Sequence, residues 1–347
     1  MASSERFMTL QPDWDKIKGM EIEFAEDDFE PADESAKESF IEKAPPVTYW
    51  QDAVRRFKKN KVAMFALGIL IIIVLFAFVA PFFFKNDYTT MVRGQENLGM
   101  SLQHPFGTDK YGRDLMLRAM YGSRISLLVG VCASAIVLVI GTLYGSISGF
   151  IGGRVDDIMM RIVELIYSVP EVLVVLLIAV TIKAPLQEWC NTSNSPIARS
   201  VAQIGPSLIA IFVAFGLLYW VTMSRIIRGQ VLMLKQQEYV TAARALGAPG
   251  AKIIKRHLLP NCIGQIIVTT AMQIPSAIFL ESFLSFLGIG VAPPMTSLGS
   301  MASEALSGMY SYPYRLIIPS IILSLLILSL NLVGDGLRDA LDPRLKK

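Results

Sequence analysis

Glu164, Tyr167, Ser168 and Glu171 fall at i, i+3, i+4 and i+7 within a stretch otherwise rich in Val, Leu and Ile, so a helix there carries two carboxylates and two hydroxyls on one face. Ionisable groups inside apolar sequence face a protein interior or a watery cavity. A second polar stripe, Gln265, Thr269, Gln273 and Ser276 with Glu281 beyond it, interrupts another apolar run. Glu171, Gln273, Ser276 and Glu281 are therefore candidates for lining a solute pathway. Arg161 with Glu164 reads as a boundary salt bridge. The chemistry on offer is hydrogen bonding and ion pairing, with no bond to break. His104 and His257 are the only histidines and lie outside the apolar runs, and Cys132, Cys190 and Cys262 are scattered. No nucleophile with a base, metal set or disulfide framework follows from them. The run from Gly107 to Gly112 leads into Arg113 and not into a phosphate cradle, so no nucleotide site is expected.

The elements that must position these groups are membrane helices. The chain is 53% hydrophobic with a mean hydropathy of +0.48, which suits an all-α integral membrane protein. About six spans of roughly twenty apolar residues fit over 62–84, 125–149, 159–182, 207–223, 263–290 and 316–333. Arg55, Arg56, Lys58, Lys59 and Lys61 precede the first span. By the positive-inside rule that flank is cytosolic, and an even number of spans then puts both termini inside. Arg338, Arg344, Lys346 and Lys347 agree.

This divides the chain into an acidic cytosolic tail over 1–47, a basic juxtamembrane segment over 48–61 and a six-helix domain over 62–347. Thirteen Asp and Glu against five Lys and Arg make the tail too charged to build a core. No cleavable signal is expected, because no apolar core precedes residue 62. External loops fall at 85–124 and 183–206, and a cytosolic tail at 334–347. Asp114 is expected to cap a short helix through Arg118 to Tyr121. Gly141, Gly145 and Gly149 recur every fourth residue and make a smooth face for close helix packing.

Residues 224–262 form a basic cytosolic insert, in which Arg225, Arg228, Lys235, Arg244, Lys252, Lys255 and Arg256 are opposed by Glu238 alone. Within it, YVTAARALG over 239–247 puts Tyr239, Ala242, Ala243 and Leu246 on one helical face and Glu238, Thr241 and Arg244 on the other. Gly247 caps that helix, and Ala248, Pro249 and Gly250 turn the chain. A second helix over 252–259 carries His257 and Leu259 and ends before Pro260. The small Ala face is poor at anchoring in lipid and suits close approach by another protein.

Thr241, Ala242 and Ala243, then Gly247, then His257, Leu259 and Pro260 together resemble the EAA loop of the membrane subunits of bacterial ABC importers. Thr241 stands where the general motif has Glu, and His257 where it has Ile; both departures are similar to the dipeptide/oligopeptide branch. HPFGTD at 104–109 with GRD at 112–114, SFLGIG at 285–290 with Pro293 and Pro294, and GDGLRDALDP at 334–343 resemble the second permease subunit of peptide importers. The resemblance covers most of the chain beyond residue 48, while the loop at 183–203 looks longer than usual.

It implies a type I importer permease fold in a bacterial plasma (inner) membrane, with a coupling helix in the 224–262 loop. The implied partners are a second homologous permease, two cytosolic ATPases gripping the elbow, an extracytoplasmic peptide-binding protein and the lipid bilayer, with no nucleic acid. It implies no cofactor in this chain, since ATP and Mg would be bound by the ATPases. The implied solutes are di- and oligopeptides, with nickel or another small solute as the alternative. An ATP-independent secondary transporter would show paired inverted halves, and no internal echo of that kind is visible.

Overall fold

In the computed structural model, residues 48–84, 86–193 and 195–342 are described. The acidic tail over 1–47 lies outside the described residues, as do Lys85 and the last five residues with Arg344, Lys346 and Lys347. Among the described residues, six helical stretches are long and apolar enough to cross a membrane: Lys61–Phe78, Leu115–Ile151, Glu171–Thr192, Pro206–Leu234, Gly250–Phe286 and Tyr314–Leu341.

Helix α1 (Tyr49–Lys59) occupies the basic juxtamembrane segment and is amphipathic. Its Ala53 packs with Val268 and Leu341. Asn60 starts α2 (Lys61–Phe78) by accepting from the Ala63 amide. The central element is α3 (Leu115–Ile151), whose 37 residues span about 55 Å, well beyond the hydrocarbon thickness of a bilayer. Asp114 caps it through the amides of Met116 and Leu117. The short helix expected after Asp114 does not stop at Tyr121, and the expected loop over 85–124 ends ten residues early. The buried face of Leu115, Arg118 and Ala119 continues the periodicity of the apolar run without a breaker.

The third expected span, 159–182, is two helices. Helix α4 (Gly153–Tyr167) ends at Ser168, and α5 (Glu171–Thr192) begins after Pro170. Pro170 has no amide to donate and disfavours helical backbone at Val169. Helix α5 then takes up the first ten residues of the expected external loop at 183–206, and α6 (Pro196–Ile204), capped by Ser195, takes up most of what remains. Lys183 and Glu188 fall in this extension of α5, where long charged side chains are compatible with the last turns of a spanning helix.

Helices α7 (Pro206–Leu218) and α8 (Trp220–Leu234) form one apolar stretch interrupted at Tyr219. The expected insert therefore starts too early, since Ser224, Ile227 and Val231 are buried on α8. Next come α9 (Glu238–Ala245), α10 (Gly250–Ile253), a π turn over Ile254–Leu258, a 3-10 turn over Leu259–Cys262 and α11 (Ile263–Phe286). Pro260 does not end the helical path as expected. It falls at the start of the 3-10 turn, where no donor is demanded of it, and the wider π turn ahead makes room for its ring. Helix α12 (Leu298–Ala305) opens on a capping box between Ser297 and Ser300. Helix α13 (Tyr314–Leu341) runs through most of the expected tail at 334–347, with Gly334 and Gly336 buried inside it.

Candidate coupling elbow and membrane hollow

The glycine stripe of α3 faces α8. A Cβ on Gly141 would lie 2.6 Å from Met223 Cβ, and one on Gly149 2.9 Å from the Arg228 carbonyl. A Cβ on Gly145 would collide with the Ser224 carbonyl. Backbones this close gain dispersion contacts along their whole length. The ends beyond the stripe are tied by charge. Arg228 on α8 donates from Nε and Nη2 to the two oxygens of Asp156 on α4, each at 2.6 Å, and Ser148 donates to the same carboxylate. The Arg228 guanidinium hydrogen bond, opposed by burial and helped by Ser148, holds the Asp156 carboxyl below the usual carboxylate range. Lys235 Nζ donates to the Gly149 carbonyl at 2.7 Å.

These ties fix the base of the elbow. Val240 on α9 is fully buried against Val231, Ile253, Leu258 and Ile266, which stabilises the elbow by about 2 kcal/mol. Ala243 leans toward the same cluster, so the expected face of Tyr239, Ala242, Ala243 and Leu246 is divided. Tyr239, Ala242 and Leu246 point outward, with Leu246 87% exposed, alongside Glu238 and Thr241. Arg244 lies 5.1 Å over the Phe150 ring. Gly247, at φ +77°, donates to the Arg244 carbonyl while Ala248 donates to that of Ala243, a Schellman closure that requires the left-handed conformation. Asn261 Nδ2 donates to the His257 carbonyl at 2.6 Å and to the Tyr239 hydroxyl at 3.3 Å, joining the two halves of the elbow. Leu259 is partly buried against the core, and Pro260 is exposed.

A second feature is a hollow of about 830 Å³ between α4, α5, α7, α8, α11 and α13. Glu171, Gln273 and Ser276 line it together with Tyr219, Thr222 and Asn331. Glu164 is not among them. With Arg161, which it meets at 2.8 Å, it lies exposed on α4, because the break at Ser168 separates it from Glu171.

Glu281 also departs from expectation. It is fully buried away from the hollow, accepting from Ser126 at 3.0 Å, Ser282 at 3.2 Å and Ser285 at 2.7 Å. Ser285 Oγ in turn accepts from the Val291 amide at 3.0 Å. This carboxylate fastens α11 to α3 and to the segment after α11. The serines at 282 and 285 are the signal for it, since they surround Glu281 at one-residue and one-turn spacing.

At the Asp114 end of α3 lies a network that motif reading does not find. Arg113 donates to Asp109 and Glu304, each at 2.6 Å, and Arg118 donates to the same two carboxylates at 2.8 and 2.7 Å. Burial pushes Asp109 up, yet the Arg113 amide, Arg118, the Tyr111 amide and the Arg113 charge outweigh it and hold its carboxyl low. Glu304 is likewise raised by burial and lowered more strongly by Arg118 and Arg113. Glu304 comes from α12, far along the chain, so no local spacing announces it. His104 Nδ1 lies 2.7 Å from Asp114.

Residues 141–347 match the family of binding-protein-dependent transport system inner membrane components. Residues 48–105 match the N-terminal TM domain of oligopeptide transport permease C. The chain is 42% identical over 319 residues to the oligopeptide transport system permease protein OppC of Bacillus subtilis, covering 92% of this chain and 97% of that one. It is 43% identical to the dipeptide transport system permease protein DppC of the same organism, over 90% and 92% of the two chains. It is 41% identical to the OppC protein of Haemophilus influenzae, over 85% and 88%.

Proposed function

The chain belongs to the binding-protein-dependent transport system inner membrane components, and from that premise we propose that it is one of two permease subunits of an ATP-driven peptide importer. It is a multi-pass membrane protein of a transport system. In this reading it forms half of the pathway for di- or oligopeptides, and ATP hydrolysis takes place in two separate cytosolic subunits. An extracytoplasmic binding protein delivers the solute. The named activities of the relatives, oligopeptide and dipeptide transport, support the solute class.

The observation that carries the coupling role is the division of α9. Its root, Val240, is fully buried, while Leu246, Tyr239 and Ala242 stand outward as an uncovered small patch. A helix held this firmly from below and left bare above is suited to insertion in a cleft of another protein. The basic residues flanking α2 and filling the elbow support a cytosolic position for that patch and for both termini. Cysteines introduced by A242C or L246C should crosslink to a nucleotide-hydrolysing subunit in native vesicles. If only lipid or detergent adducts form at both positions, the coupling role is wrong.

A further inference from the structure

Among the described residues Glu171 is the one carboxylate lining the hollow, and no cation lies within ion-pair distance of it. Three arginines of neighbouring elements are engaged elsewhere: Arg161 with Glu164, Arg228 with Asp156, and Arg225 at 4.4 Å over the Tyr167 ring. The Tyr219 hydroxyl faces the Glu171 carboxylate. Glu171 is exposed in the first turn of α5 and opens onto the hollow, so its carboxylate is free to meet a cationic group that a solute brings.

The backbone around it is interrupted twice, and a proline inside a continuous helix marks a third place. Helix α5 starts at Glu171 after the break at Ser168 to Pro170, α7 and α8 part at Tyr219, and Pro275 sits inside α11 between Gln273 and Ser276. Glu171, Tyr219, Gln273, Pro275 and Ser276 all line the same hollow. Interrupted helices at membrane depth are tolerated where they line a cavity, and transporters use such places to meet their solutes. Apart from Glu171, the polar lining is neutral: Thr222, Gln273, Ser276 and Asn331 offer donors and acceptors matched to amide groups. Tyr167, Tyr219 and Phe279 add aromatic surface, which also favours a cation.

We propose that Glu171 receives the α-ammonium of a peptide in transit, with Gln273 and Ser276 hydrogen-bonding its first peptide units. This rests on the peptide-importer reading and adds to it a charged subsite for the free amino terminus. An ammonium is common to every unmodified peptide, so the grip is indifferent to side chains. N-acylated peptides lack the charge and lose the pairing.

The test uses the complete transporter, with its companion subunits and binding protein, in proteoliposomes. Trialanine uptake should fall about tenfold in E171Q, the loss expected for a charge-assisted hydrogen bond, and should largely persist in E171D. Independently, S276C is introduced into the assembled complex, and alkylation at position 276 is followed by mass spectrometry. Trialanine should slow that alkylation and N-acetyl-trialanine should not; the protection should vanish when E171Q is added. Wild-type uptake of trialanine by E171Q, or equal protection by both probes, overturns the ammonium assignment while leaving the peptide reading intact. A wild-type complex that moves a nickel chelate but not trialanine overturns both. If E171Q fails to assemble, the comparison of the two probes on S276C alone still decides.

Discussion

Arg228 holds both oxygens of Asp156 at 2.6 Å, which locks α4 onto α8 where both leave the apolar region. Removing the acid leaves a half-buried guanidinium unpaired beside Ser148. Asp156→Ala should destabilise the chain by about 3 kcal/mol, read as a lower midpoint of thermal unfolding in detergent. The double variant D156A/R228A should lose less than the two single losses combined, because both remove one interaction. Strict additivity would mean that the pair contributes nothing.

The glycine stripe is a steric statement. Gly145→Val should prevent α3 and α8 from seating, since its side chain would meet the Ser224 carbonyl and Ile227. Gly68, with open space around it, is the control; Gly68→Ala should be stable or slightly more so. Recovery of monodisperse protein after solubilisation compares them, and equal recovery would refute the packing.

Val240 and Leu246 should separate folding from coupling. Val240→Ala should cost about 2 kcal/mol and expose the elbow to limited proteolysis. Leu246→Ala should change stability by less than about 0.5 kcal/mol, yet reduce ATP-driven uptake, because it removes surface offered to a partner. Normal uptake by L246A, with intact association of the ATPase subunits, would place the partner's grip elsewhere.

The network at the other end of α3 predicts an acid sensitivity of definite sign. Asp109 and Glu304 are held below their ordinary values in the fold. The unfolded chain therefore takes up protons first as pH falls. Their contribution is complete above the unfolded carboxylate range near about pH 4 and is lost as pH drops through the lowered folded values. Unfolding midpoints measured from neutral pH downward should fall across that window, and Glu304→Gln should flatten the fall. An unchanged slope in E304Q would remove Glu304 from the account.

The legible parts of the sequence were those fixed by local rules. The Asp114 cap and the Gly247 closure each depend on residues within a few positions, and both stand in the structure. The six apolar stretches followed from composition, but their ends did not. Hydropathy takes no account of the missing amide of Pro170, so it joined α4 to α5 and put Glu164 beside Glu171. Helix periodicity placed Ala243 with Ala242, but could not say that Val240, between the expected faces, is the residue the core demands. The serines at 282 and 285 are a local mark of the Glu281 cluster, but its bond to Ser126 and the meeting of Arg118 with Glu304 depend on helices far apart in sequence, which no local spacing announces.

The helical path from Gly250 to Phe286 passes without interruption through the widened turn at Ile254–Leu258 and the tightened one at Leu259–Cys262. One end of this rod lies in the elbow, and about 35 Å along it stand Gln273 and Ser276. It has the form of a lever, continuous along its length, with Pro275 inside it. A push of a few ångströms delivered at the tip has a continuous mechanical route to the wall where the solute would lie.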